Sequence, residues 1–168
     1  MPEVFIGVGS NVEPRRHLGV GLRTLAERFG LLRLSPVYRN SAVGFEGDDF
    51  LNMVIAFESD EPVGEVAAAL AEIEAANGRH RGEAKFAPRT LDLDLLLYGD
   101  LVGEVDGIRL PRDEITRYAF VLKPLADLVG ERRHPELGRS YAELWDDFDG
   151  ERHPLQRVEG DFAAEVAL

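Results

Sequence analysis

The run Leu91-Asp-Leu-Asp-Leu-Leu-Leu-Tyr98 constrains the fold more than any other stretch of this chain. Its first five residues alternate leucine with aspartate, the period of a β-strand, whose successive side chains point to opposite faces. Leu91, Leu93 and Leu95 therefore belong to a core face, and Asp92 and Asp94 share the other. Two carboxylates held side by side repel, so a divalent cation is their natural neutraliser, and hard oxygen ligands favour magnesium. The pair alone does not decide the matter, because two exposed acids on an edge strand give the same pattern.

The elements around this strand follow from periodicity. Val4-Phe5-Ile6-Gly7-Val8 is a short apolar run closed by Gly9-Ser10-Asn11, which predicts a buried strand and then a loop. Leu18, Leu22, Leu25 and Phe29 recur at helical spacing, so a helix is expected from about Arg15 to Phe29, with Gly30 at its stop. A loose strand from Leu31 to Arg39, a loop over 40–49 and an apolar strand from Phe50 to Phe57 come next. Glu61-Pro62 opens a second helix that runs to about Ala76, and Asn77-Gly78 stops it. Beyond the Asp-x-Asp strand, Ile108 to Leu110 is a possible edge partner. A helix from about Thr116 to Val129, interrupted or kinked at Pro124, and a short one from Tyr141 to Phe148 precede a weakly patterned tail. Strand, helix, strand, strand, helix, strand is the ferredoxin-like split arrangement. The expected fold is therefore α+β, a ferredoxin-like antiparallel sheet with helices packed on it and helical C-terminal additions, in one domain over 1–168. Helices on one face would leave the other free for a site.

Just before the Asp-x-Asp strand stand Arg79, His80, Arg81, Lys85 and Arg89, four permanent cations with one acid, Glu83, among them. The whole chain has 31 acidic and 19 basic side chains, a net charge of −12. That balance argues against a general nucleic-acid binder, which needs a basic face to displace counterions. A cationic cluster beside paired carboxylates is then more than a solvated face, and metal with arginines suggests a polyphosphate ligand. The common nucleotide motifs are missing. Lys85 and Lys123 are followed by Phe86 and Pro124, so there is no Walker loop. Gly7-Val-Gly9 begins like a dinucleotide fingerprint but has Val12 where the last glycine belongs. His17, His80, His134 and His153 are scattered without ligand spacing, so no zinc site is read. The absence of cysteine removes disulfides, thiolate–metal sites and cysteine nucleophiles, and suits a reducing, cytoplasmic setting. With no basic leader and no run near the roughly 20 apolar residues of a membrane helix, the chain reads as soluble and untargeted.

Pro88-Arg-Thr-Leu-Asp-Leu-Asp94, Gly9-Ser-Asn11, Phe50-Leu-Asn52 and Ala119-Phe-Val-Leu122 followed by Pro124 together resemble the 6-hydroxymethyl-7,8-dihydropterin pyrophosphokinase family, over roughly residues 4–130. The resemblance implies transfer of pyrophosphate from ATP to a pterin alcohol in folate biosynthesis, releasing AMP. It implies that Asp92 and Asp94 bind two magnesium ions, with Arg79 and Arg89 as catalytic-loop arginines on the phosphates. Phe50 and Phe120 would sandwich the pterin, Asn52 would read its edge, and the backbone from Asn40 and Ser41 to Val43 would add contacts. Glu74, Arg81 and Arg112 join Arg79 and Arg89 on the nucleotide side. The expected partners are these small molecules, with no nucleic acid or membrane, and the expected state is a monomer. Some positions depart from the family pattern. Phe86 and Ala87 replace its usual tryptophan and glycine, Arg112 and Asp113 stand where histidine and often an aromatic residue or proline follow Pro111, and Tyr118 replaces an arginine. These departures leave open a drifted member with another substrate or weak catalysis. A ferredoxin-like module that binds RNA or protein is the reading from another class. The tail over 151–168 has no assigned role.

Overall fold

The computed structural model describes residues 1–41, 49–78, 90–160 and 162. In chain order the elements are β1 (Glu3–Ser10), α1 (Pro14–Phe29), β2 (Arg33–Leu34), β3 (Val37–Asn40), β4 (Phe50–Glu58), α2 (Val63–Ala76), β5 (Asp92–Tyr98), β6 (Gly103–Val105), β7 (Ile108–Leu110), α3 (Glu114–Arg117), α4 (Ala119–Val129), α5 (Tyr141–Asp146), a 3-10 turn (Gly150–Arg152) and β8 (Gln156–Val158). The sheet order is β5-β1-β4-β3-β8, with β2 pairing β4 beside β3, and all pairs are antiparallel. The α+β, ferredoxin-like arrangement is thus present, with β1 between β5 and β4. Among the described residues no helix is long and apolar enough to cross a membrane.

Period two assigns each strand residue to one of two cores. Val4, Ile6 and Val8 of β1, with Leu93 and Leu95 of β5, face α1 and α2, where Leu18, Leu22, Leu25, Val66, Leu70 and Ile73 are buried. Phe5, Val54 and Ala56 face the other way and pack with Leu122 and Leu125 of α4 and Tyr141 of α5. In β5 the register slips between its partners Phe5 and Ile6, so that Ile6 pairs with Leu95 and Phe5 with Leu97. This bulge places both Leu96 and Leu97 in the second core and returns Tyr98 to the first. It explains why the sequence stops alternating after Leu95.

Several expectations are corrected. The far face of the sheet is not left bare, since α4 and α5 cover one end of it and only the other end is open. The loose strand over 31–39 is two strands, because Ser35-Pro36 interrupts it: the Ser35 hydroxyl accepts from Val54 N–H at 2.9 Å where a strand backbone would, and Pro36 has no N–H to offer. Ile108–Leu110 does not extend the sheet but pairs with Gly103–Val105 in a separate hairpin, turned by Asp106 and Gly107, both at positive φ. The single helix over 116–129 is two helices. Its break is at Tyr118, whose extended backbone ends α3 and whose carbonyl accepts from Val121 and Leu122 to start α4, and the helix runs on through Pro124. The C-terminal additions are not only helical, because β8 adds a strand to β3.

Candidate active site

The open end of the sheet is built on two glycines. Gly7 and Gly9 lie on the β1 face opposite α1, Gly9 between Asn52 of β4 and Asp92 of β5, and Gly7 between Val54 and Asp94. With no side chains on β1 at these positions, its two neighbouring strands look across a shallow floor. A Cβ at Gly9 would stand 2.5 Å from Asn52 Oδ1, so the amide occupies the space that glycine leaves. A small cleft of about 30 Å³ here is lined by Gly7, Gly9, Asn52, Asp92, Asp94 and Phe120, among others. The structure thus brings together these six residues from three strands and α4, elements that are distant in sequence.

The carboxylates share one face of β5, as their spacing predicts, and both are half-buried. Desolvation between the strands first, and then the charge of Asp92, push the Asp94 carboxyl up to about 7, against the pull of Arg112. Arg112 Nη2 stands 3.4 Å from Asp94 Oδ1, and its Nε donates to Glu114 Oε2 at 2.7 Å. Glu74 of α2 accepts from the Leu93 backbone N–H at 2.9 Å, satisfying a donor on the outer edge of β5. Among the described residues, Arg112 draws the Asp94 carboxyl down while Asp92, Glu74 and Glu114 push it up. Asp92 and Asp94 are oxygen donors of the kind magnesium takes, and among the described residues no third carboxylate or histidine gathers with them into a ligand set. Such a pair would leave coordination positions for phosphate oxygens and water.

At the other end, Asn52 Nδ2 donates to Asn40 Oδ1 at 2.5 Å, and Asn40 Nδ2 donates to Ser41 O at 3.0 Å. Phe50 shares the Asn52 face of β4, two residues away, and pairs with Asn40 across the ladder. Phe120 stacks on Tyr118, with ring centroids 5.0 Å apart and planes 14° from parallel. A cavity of about 260 Å³ opens between Asn40, Ser41, Tyr118, Ala119 and Phe120 on one side and Arg152 to Leu155 on the other. Flat aromatic faces beside amide groups suit a planar heterocycle with a hydrogen-bonding edge.

Val43, Arg79, Arg81 and Arg89 lie outside the described residues. Their neighbours are informative: the Thr90 hydroxyl donates to Asn77 O, so the chain leaves α2 and enters β5 at one place, two residues before Asp92. Sequence reasoning missed Gly7 and Gly9 as the floor, Glu114 beside Arg112, and the contribution of residues 152–155. A signal existed for the first, since two glycines at period two within an apolar strand strip one face of side chains. None existed for the last.

The family 7,8-dihydro-6-hydroxymethylpterin-pyrophosphokinase (HPPK) matches residues 5–130. A 2-amino-4-hydroxy-6-hydroxymethyldihydropteridine pyrophosphokinase of Pseudomonas aeruginosa is 36% identical over 146 residues, covering 84% of this chain and 88% of that one. The protein of the same name from Synechocystis is 33% identical over 147 residues, 86% of this chain and 75% of its own. Among solved structures, wild-type Plasmodium falciparum HPPK-DHPS superposes with a TM-score of 0.69 at 11% identity, over 95% of this chain. This chain spans about half (48%) of that longer one, and at such identity the likeness concerns the fold. By the extent of these matches, the chain belongs to the 7,8-dihydro-6-hydroxymethylpterin-pyrophosphokinase family.

Proposed function

We propose that this family member transfers the pyrophosphoryl group of ATP to 6-hydroxymethyl-7,8-dihydropterin, with Asp92 and Asp94 as its metal-binding carboxylates. The observation that carries the reading is the placement of both carboxylates, Asn52 and Phe120 around one glycine floor, because it sets a metal–phosphate end beside a heterocycle end. In the reaction the pterin hydroxyl oxygen bonds to the β-phosphorus and the α,β-bridging P–O bond breaks. AMP leaves with that electron pair, and the hydroxyl proton goes to solvent. Two magnesium ions held by Asp92 and Asp94 would neutralise phosphate charge and make the hydroxyl easier to ionise.

The chain's own residues supply position and charge. Phe50 and Phe120 hold the faces of the ring and Asn52 its edge, with the backbone at Asn40, Ser41 and Val43 adding contacts, which turns a bimolecular encounter into an aligned one. Gly9 makes room for the Asn52 amide, which sets that amide's position at the site. Arg112 is the counter-charge of Asp94 and would be a phosphate donor if metal ions neutralised that carboxylate. Arg79, Arg81 and Arg89 stabilise the charge that spreads over the phosphates. Glu74 fixes the edge of β5 and with it the direction of both aspartates, on the nucleotide side. We assign the protein a monomeric, cytoplasmic role in folate synthesis.

The test is to mix the full chain with magnesium, ATP and the hydroxymethyl-dihydropterin and to follow AMP by chromatography. AMP should form with the unaltered chain and stop on adding EDTA. AMP no faster than with Asp92→Ala overturns the reading. A drifted member is favoured by one observation, the Tyr118 ring stacked on Phe120 where the family carries arginine. It predicts AMP release with a different heterocyclic alcohol and none with this one.

A further inference from the structure

Residues 152–155 lie beyond the stretch the family match covers, yet they line the cavity at the heterocycle end of the site. Their position is fixed from both sides. Before them, Phe148 stacks on Trp145 with centroids 5.6 Å apart and meets the His153 ring at 5.2 Å. After them, β8 pairs with β3, setting Gln156 opposite Arg39, Arg157 opposite Tyr38 and Val158 opposite Val37. Arg15 of α1 donates to Glu159 O at 2.9 Å and lies over the Phe162 ring, 5.6 Å from its centroid. Extending the β3–β8 register by one residue sets Leu155 opposite Asn40, the residue whose side chain accepts from Asn52. The segment therefore crosses the cavity mouth at a height set by a strand ladder, facing Tyr118 and Phe120.

We infer that residues 152–155 form the outer wall of the heterocycle pocket and set the affinity for the pterin ring, with Leu155 as the main contact and His153 beside it. This rests on the reading that the ring lies between Asn40, Asn52 and Phe120. Leu155 and Pro154 offer apolar surface to the ring, and His153, held by Phe148, offers a polar edge. The phosphate end, at Asp92 and Asp94, is lined by other residues, so the wall acts on one substrate and not on the other.

The experiment titrates the pterin by its fluorescence and measures KM for the pterin and for ATP separately. It compares the full chain, Leu155→Ala, His153→Ala and a chain ending at Asp149, with melting temperatures alongside. Leu155→Ala should raise the pterin Kd and KM about fivefold, and the shortened chain at least tenfold, with the ATP KM changed less than twofold. Unchanged pterin constants in the point variants overturn the inference, as does an equal rise for both substrates. If the shortened chain does not fold, the two point variants decide by the same criteria. If the full chain neither binds the pterin nor releases AMP, the functional reading fails and this inference with it. If the full chain does both and the variants match it, only this inference fails.

Discussion

The two faces of the sheet are made by the same strands and do different work. On the α1–α2 face, β1 presents Val4, Ile6 and Val8 and β5 presents Leu93 and Leu95, all buried under helical leucines. On the other face the same strands present Phe5, Gly7 and Gly9, and Asp92, Asp94 and Leu96. That second face is packed where α4 and α5 cover Phe5 and Leu96, and it opens where the side chains shrink to glycine or become charged. The difference shows how a half-buried strand separates stability from chemistry: one residue in two anchors the domain, and its neighbours are free to repel, coordinate or make room.

Substitutions on the two faces should then give opposite readouts. Asp92→Ala should lower kcat/KM about a thousandfold, ~4 kcal/mol of transition-state stabilisation, with the melting temperature little changed. A variant that keeps a tenth of the activity, or that melts far earlier, would break the division between faces. Leu22→Ala, at a fully buried position of α1, should cost ~3 kcal/mol of folding stability by denaturant titration and leave kcat of the folded fraction unchanged. Gly9→Ala puts a methyl where the Asn52 amide sits, so the pterin KM should rise about tenfold, ~1.4 kcal/mol, with the ATP KM steady. An equal effect on both substrates would show that the floor is shared along its length. The smallest effect concerns the packed end of the second face. The Tyr141 hydroxyl is buried there with no hydrogen-bond partner among the described residues, so Tyr141→Phe should stabilise the fold by ~1 kcal/mol and raise its melting temperature. A fall would place an ordered water on that oxygen.

Much of this was legible in the chain itself. The order of strands and helices, the burial of Leu91, Leu93 and Leu95 and the shared face of Asp92 and Asp94 follow from local period, which depends only on backbone geometry. Helix ends were legible for a similar reason: Gly30 closes α1, and Pro62 precedes α2. Breaks set by contacts were not. Tyr118 has no breaker chemistry, yet its extended backbone separates α3 from α4, whereas Pro124 was tolerated. The hairpin of Ile108–Leu110 was misjudged because a short apolar run does not state its partner. The Asp106-Gly107 turn decides it.

The candidate site divides in the same way. Sequence alone determined which residues could carry charge or stack, and that two acids share a face, because side-chain chemistry and strand period are local. Tertiary structure decided that Arg112 pairs with Asp94 while holding Glu114, that Glu74 closes the edge of β5, and that Asn40 meets Asn52. It also decided that the tail after Glu151 returns as a strand and faces Phe120, because β3 offers an open edge whose backbone groups need partners. Such pairings depend on which strand edges and helix faces remain unsatisfied after the core has formed, and no local pattern encodes that.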